Sequence, residues 1–311
     1  MQRASVPITR VARPHGFCYP QRMDAQTTPA TVRCLRLRPI PSGIFSNVNE
    51  VIEQARLAEN GGYRFFIDWS VSCYRDPDEA GDPWEYYFEQ SFPDVTPDPD
   101  APDLPGGPQI ACTRDNIITP RLQDGNCNPL LLPRDRFASA RLLHQYVRVK
   151  PDIQQQVEAF RAAHWRDKMI GLHIRGPGRL HGGAGELRAA LGAEGAVPFQ
   201  PFFDQADRIL SLMPDAGVFV CSDSQPVIDV VRDRYGDKVV DYPAIRSEFG
   251  EMHAGHPENQ GQSFPPKRLG LDMIIEALLL ARCDVFVHGN SNVANFVLSY
   301  DPYLMHVYVQ A

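Results

Sequence analysis

The 311-residue sequence contains no apolar run approaching the ~20 residues that a membrane-spanning helix needs. Its longest such run, Met273 to Ala281, is interrupted by Glu276 and reads as a core helix. The N-terminus carries Arg3, Arg10 and Arg13 but no apolar segment of signal-peptide type. A cytoplasmic protein without a membrane span is the expectation. Positive charge is not in excess: 31 Lys and Arg stand against 38 Asp and Glu, a net charge of -7. Binding to nucleic acid through a basic face is therefore not expected. Seven cysteines are scattered without a Cys-x-x-Cys pair, so neither a disulfide framework nor a zinc site is expected. Cys221 and Cys283 sit in apolar runs that suggest burial. Nine histidines are also dispersed. His253 and His256 lie three apart without a carboxylate–histidine pattern, which favours polar loop residues over a metal pair. No internal repeat is visible.

What is present is an alternation of strands and helices. Residues 1–33 show little periodicity and are expected to be a flexible arm. A strand over 32–37 leads to a loop with Pro39, Pro41 and Gly43. Asn47 is placed to cap a helix that runs to Glu59 and ends at Asn60-Gly61-Gly62. A strand over 63–69 follows, so β–loop–α–β opens a parallel sheet. Residues 94–107 are rich in proline and acid and must be loop. Helices are expected over 133–146 and 152–165. From Met169 onward, strands at 169–173, 218–221, 238–241, 285–287 and 305–309 alternate with helices at 201–213, 226–235, 270–282 and 292–299. That order predicts an α/β, doubly wound sheet. The chain divides into an arm (1–33), an N-terminal α/β domain (34–160) and a C-terminal Rossmann-like domain (161–311).

In such a sheet, ligands bind beyond the carboxyl ends of the strands. The strand ending Ile170-Gly171-Leu172-His173-Ile174-Arg175 puts His173 and Arg175 on one face, before a glycine-rich loop at 176–185. A planar guanidinium there suits a phosphate or another planar anion. A second strand ends in Cys221-Ser222-Asp223-Ser224, and a third in His288-Gly289-Asn290-Ser291-Asn292 at a helix start. Ser291 and Asn292 are equally readable as helix caps or as a phosphate loop. Glu276 lies among apolar neighbours and needs a partner if buried. Arg282 in the same helix is one choice. A ligand with paired N–H donors, as guanine has, is the other. The stretch from Gly176 to Gly182 has G-x-G-x-x-x-G spacing, not the dinucleotide-binding pattern. His288-Gly289-Asn290 lacks the carboxylates of a two-metal phosphatase.

These three segments together resemble the GDP-fucose-dependent fucosyltransferases of the nodulation and α-1,6 type and, more distantly, the protein O-fucosyltransferases. The likeness covers roughly residues 167–300. It rests on His173-Ile174-Arg175-Gly176, on Ser222-Asp223, and on the helix 271–281 followed by Asp284 to Val287 and Asn290-Ser291-Asn292. It extends loosely to Pro41–Asn49, to 63–69, and to Trp84-Glu85-Tyr86-Tyr87-Phe88 as an acceptor-side element. The resemblance implies two Rossmann-like domains in a GT-B-like fold, with the donor site in the C-terminal domain. It implies transfer of fucose from GDP-fucose to a glycan or other hydroxyl acceptor with inversion. The donor is a substrate, and neither a cofactor nor a metal is implied. Arg175 matches the arginine that neutralises the diphosphate, and His173 the histidine lining the nucleotide. Asp223, Glu276, Ser291 and Asn292 match the other donor-binding positions, with Glu276 as the guanine reader. Glu186 stands for the acidic base with a gap in the match. Gly176 occurs where the family has a second arginine, and Pro177-Gly178-Arg179 where Thr-Asp-Lys is common. The rivals are a non-catalytic GDP-sugar-binding protein and a structural α/β protein with a decayed site.

Overall fold

The structure, a computed structural model, describes residues 34–39, 42–95, 101–103, 133–175, 199–248, 252, 261, 263–289 and 291–309. Its N-terminal part runs β1 (Cys34–Leu37), α1 (Ile44–Asn60), β2 (Arg64–Ile67), α2 (Trp84–Tyr87), β3 (Phe88–Glu89), α3 (Pro133–Tyr146), β4 (Arg148–Val149) and α4 (Pro151–His164). β1 and β2 pair in parallel, and β3 and β4 form a two-residue antiparallel ladder. The remainder is β5 (Met169–His173), α5 (Gln200–Leu212), β6 (Gly217–Cys221), α6 (Gln225–Tyr235), β7 (Val239–Asp241), α7 (Pro266–Leu280), β8 (Val285–His288), α8 (Asn292–Tyr300) and β9 (Met305–Tyr308). Its five strands are all parallel, in the order β7-β6-β5-β8-β9. Proline opens α4 and α7, where its missing N–H costs nothing.

The alternating strand pattern sends side chains to two cores. Met169, Phe219, Cys221 and Phe286 enter the larger one, against α7. Ile170, Leu172, Val218, Val220 and Val287 enter the smaller one, against Phe202 and Phe203 of α5 and Val227, Ile228 and Val231 of α6. Both faces of the sheet are therefore covered, as an all-parallel sheet requires. The larger core also takes Phe45, Val48 and Ile52 of α1 and the aromatic group Trp69, Trp84 and Phe88, so it draws on both sides of residue 160. α7 is buried nearly all round, which its apolar sequence demands.

The expected and observed elements differ in instructive ways. Asn47 does not cap α1; the helix begins three residues earlier, behind Gly43. The buried Tyr74 hydroxyl accepts the Ile44 N–H at 2.8 Å, satisfying one helix-start donor from 30 residues away. Asn47 instead donates to the Ser42 and Gly43 carbonyls at 2.8 and 3.3 Å, closing the turn before the helix. The short β3–β4 ladder was not expected. α7 starts at Pro266 rather than near 270. The expected arm at 1–33 lies outside the described residues.

Gly171 of β5 lies against the last residue of α7 and the turn that follows it. A Cβ there would sit 3.0 Å from both Cys283 Sγ and Leu280 Cδ2. These atoms belong to packed, fully buried side chains and have little room to move. Gly171→Ala is expected to cost about 1–3 kcal/mol by overpacking. Denaturant unfolding of the variant at neutral pH checks this, and an unchanged midpoint would show that α7 can shift freely.

Candidate functional site

Strand order defines the site. From β5 the chain proceeds through β6 to β7 on one side, then returns to place β8 on the other. The crevice of such a reversal lies at the carboxyl ends of β5 and β8. His173 ends β5 and pairs across the ladder with Cys221 on one side and His288 on the other. Ser291 follows β8 and forms the N-cap of α8, its hydroxyl accepting the Ala294 N–H at 3.0 Å. That hydroxyl also lies 3.4 Å from His173 Nδ1, so the two strand ends meet there. The cap reading of Ser291 is thus the observed one. The first turn of α8 contains no acidic residue, so its N-terminus presents positive potential to the crevice.

The histidines at this edge are neutral. Burial, helped by Arg175 and then His288, lowers the His173 imidazole to about 3. Burial likewise holds His288 at about 4, against the pull of the Gly289 carbonyl. His288 Nδ1 lies 2.9 Å from that carbonyl and its Nε2 lies 3.1 Å from His306 Nδ1. A carbonyl can only accept, so Nδ1 of His288 carries the hydrogen and His306 Nδ1 donates to the bare Nε2. One tautomer is fixed through two strands without any net charge.

Arg175 is therefore the charge of the crevice. It stands two residues beyond β5, half-buried. Its buried Nε has no hydrogen-bond partner, and among the described residues no carboxylate pairs with it. It is within electrostatic reach of Tyr74, whose hydroxyl receives the first N–H of α1. An unpaired guanidinium beside neutral imidazoles and a helix N-terminus is an arrangement that accepts an anion.

The second half of the site lies at the end of β6 and was only partly expected. Glu276 is fully buried, but its partner is not Arg282, which instead bonds Glu158 at 3.3 Å. The partner is Arg246, whose Nη2 donates to Glu276 Oε1 at 2.6 Å, with both side chains under 5 % exposed. The Cys221 thiol lies 3.6 Å from Oε2, so both carboxylate oxygens are engaged within the protein. Burial pushes the Glu276 carboxyl up to about 7, with Arg246 pulling it down. Burial alone would lower Arg246, but the carboxylate outweighs it and raises the guanidinium. Arg246 also donates to the Ser222 and Tyr242 carbonyls. Ser247 N donates to the Asp223 carbonyl at 2.8 Å, and its own carbonyl accepts from Gln225 N at 2.9 Å. The stretch 242–248 thus straps the end of β6 and fixes the backbone of Asp223.

Asn292 faces the N-terminal part of the chain. Its Nδ2 donates to Ser46 Oγ at 2.7 Å and its Oδ1 accepts from Asn49 at 3.1 Å. Its amide ties α8 to α1. Of the expected site residues, His173, Arg175, Ser291 and Asn292 lie around the β5/β8 crevice, while Asp223 and Glu276 lie at the end of β6. Glu186, the glycine loop and Asn290 lie outside the described residues. Among the described residues no group of three His, Cys, Asp or Glu is placed to hold a metal ion, and no helix is long and apolar enough to cross a membrane.

No protein-family profile matches the sequence, and no curated protein matches it. Solved structures do match. Fucosyltransferase NodZ from Bradyrhizobium superposes with a TM-score of 0.53 at 18% identity, over 88% of this chain and 93% of that one. NodZ alpha-1,6-fucosyltransferase soaked with GDP-fucose gives 0.51 at 17% identity, over 88% and 93%. POFUT1 in complex with GDP-fucose gives 0.52 at 12% identity, over 91% and 99%. The fold is that of a group of fucosyltransferase structures, a mixed α/β fold with a parallel sheet, shared along most of the chain.

The buried pair at β6 yields a stability test. Arg246→Met leaves Glu276 buried without its counter-charge, and is expected to cost about 3–5 kcal/mol. The double variant Arg246→Met/Glu276→Met removes both charges and should recover most of that loss. Urea unfolding of the three proteins at pH 8 checks it. A double variant no more stable than the single one would show that strap geometry, not charge, sets the cost.

Proposed function

We propose that the protein is a glycosyltransferase that moves a sugar, fucose by preference, from a GDP-sugar to a glycan or other hydroxyl acceptor with inversion and without a metal. The observation that carries this reading is the Arg175 guanidinium at the β5/β8 crevice, which pairs with no carboxylate among the described residues and stands beside a helix N-terminus. It suits the charge that develops on a departing diphosphate. The fold likeness supports the choice of donor, because the matched structures include fucosyltransferases solved with GDP-fucose. In this reading the fold is GT-B-like. Residues 161–311 form the donor side and residues 34–160 the acceptor side.

Each residue then has a role. Arg175 neutralises the leaving diphosphate. His173, kept neutral, and Ser291 line the nucleotide. The fixed backbone at Asp223 shapes the wall beyond β6, and Asn292 holds α8 against α1. Glu276 reads guanine only if the N1–H and 2-amino edge of the base takes over the carboxylate from Arg246. A second reading, a GDP-sugar-binding protein without turnover, is favoured by Gly176 in the place of a second arginine.

Three measurements test the proposal. GDP is expected to raise the melting temperature more than UDP or ADP, since a ligand at 100 times its Kd stabilises by about 2.7 kcal/mol. Equal shifts from all three would remove guanine selectivity. Release of GDP from GDP-fucose should survive EDTA, and strict dependence on magnesium or manganese would point to another mechanism. Arg175→Ala is expected to lower turnover by about 10²–10³-fold. Near-normal turnover and GDP affinity in that variant would place the diphosphate elsewhere, and binding without turnover in the wild type would favour the second reading.

A further inference from the structure

Two paired residues add little stability of their own, yet the β3–β4 ladder is held from several sides. The Trp84 indole N–H donates to the Glu89 carbonyl at 3.2 Å. The Lys150 N–H, one residue beyond β4, donates to the Tyr87 carbonyl at 3.0 Å. The Gln90 side-chain amide completes a ladder of its own with β2: it donates to the Ile67 carbonyl at 2.9 Å and accepts the Ile67 N–H at 3.0 Å. Ser91 Oγ donates to the Tyr146 carbonyl at 2.8 Å, and Arg148 donates to the Gln90 carbonyl. This framework surrounds a cleft of about 350 Å³, lined by Glu85, Phe88, Glu89, Gln90, Pro93 and Lys150. That volume is at the small end of the ~300–1,000 Å³ typical of ligand sites. Phe88 is fully buried and underlies the cleft, while Pro93 is its exposed apolar member.

The charges on this cleft are what need explaining. Glu89 is engaged by Arg148, 3.3 Å away, in a pair open to water. Glu85 and Lys150 are not engaged. Among the described residues neither side chain makes a hydrogen bond or an ion pair, with the other or with a third group. Glu85 is exposed and Lys150 half-buried, so both are reachable from solvent. Opposite charges that line one cleft without meeting suit a ligand that offers donors to one and acceptors to the other. The sign of the lining narrows the choice. Two carboxylates disfavour a phosphate or any other anion. A lone cation would meet the Lys150 ammonium, and no metal-binding group of three His, Cys, Asp or Glu occurs among the described residues. What remains is a neutral ligand rich in hydroxyls, since each hydroxyl both donates and accepts.

We propose that the cleft beside the β3–β4 ladder is a saccharide-binding subsite. Two neighbouring hydroxyls of a sugar ring donate to the Glu85 carboxylate, and the Lys150 ammonium donates to a ring or hydroxyl oxygen. Pro93 lies against the C–H face of the ring. The backbone on either side is already fixed through Trp84, Gln90 and Lys150, so little ordering is required when the sugar enters. Glu89, held by Arg148, shapes the wall without being free to bond the ligand. Such binding needs neither donor nor turnover, so it stands or falls separately from the transfer reaction.

Ligand-detected NMR titration of the full chain with the methyl glycosides of glucose, galactose and mannose, without nucleotide, tests the site. Binding is expected with a Kd on the order of 1 mM, the range of a few hydrogen bonds to a small ligand. Glu85→Gln and Lys150→Met should each weaken it by about tenfold or more, as loss of a charge-assisted hydrogen bond does. Glu89→Gln should change it by less than about threefold, because that carboxylate is already held. Deoxy analogues lacking one of the two neighbouring hydroxyls should weaken like the Glu85 variant. The melting-temperature response to GDP should be the same in the variants as in the wild type. Absence of binding by every glycoside up to about 50 mM overturns the proposal. So does wild-type affinity in both Glu85→Gln and Lys150→Met, which places the sugar elsewhere. Glycylglycine binding where no glycoside binds would make the cleft a site for a peptide zwitterion and overturns the saccharide. A GDP response that falls together with glycoside binding overturns a separate subsite.

Discussion

A carboxylate cannot be taken out of water without a partner, and Glu276 sets that requirement at the centre of the molecule. Its helix is apolar on nearly every side, so the counter-charge has to arrive from elsewhere. Arg246 supplies it, and in doing so it brings the strap 242–248 across the end of β6. The strap then holds the backbone of Ser222 and Asp223, which no sheet ladder fixes. The Cys221 thiol completes the carboxylate from the strand itself. One buried charge thus organises a loop, a strand end and a helix.

The crevice follows the opposite policy. Its three imidazoles are kept uncharged by burial, so they add shape and hydrogen bonds without adding field. Among the described residues no carboxylate pairs with Arg175, so its guanidinium is the charge these neutral rings stand beside. In a site shielded from bulk water, a single preorganised charge is worth more than the same charge at the surface.

The regular part of this architecture was legible in the sequence. β5 is apolar at both parities, which marks a strand covered on both faces, and the same logic located β6 and β8. His173, Arg175 and Ser291 were readable because they end or follow those strands. What failed to show was whatever depended on distant partners. Asn47 has the chemistry of a cap, but Tyr74 reaches in from elsewhere and moves the helix start. Arg246 sits in a loop and looks like any surface arginine. The signal was Glu276 itself, which demanded a cation without saying which one. The buried polar residues of α1, among them Asn49, Glu50 and Gln54, carry no local signal, because it is α8 and the end of β1, far off in the chain, that cover them. The β3–β4 ladder is two residues long, too short for any periodicity to register.

The position of β5 also bears on how the chain comes to be made. Met169 and Asp284 lie 115 residues apart and bond at the start of the β5–β8 ladder: the Met169 N–H donates to the Asp284 carboxylate at 2.9 Å, and the Asp284 N–H to the Met169 carbonyl at 2.8 Å. During synthesis at about 5–20 residues per second, one edge of the central strand waits on the order of ten seconds for its neighbour to emerge from the ribosome. Throughout that interval it is an open strand edge, apolar but for His173, the kind that pairs with other chains. An edge strand left open for that long is the part of the chain whose shielding during synthesis matters most.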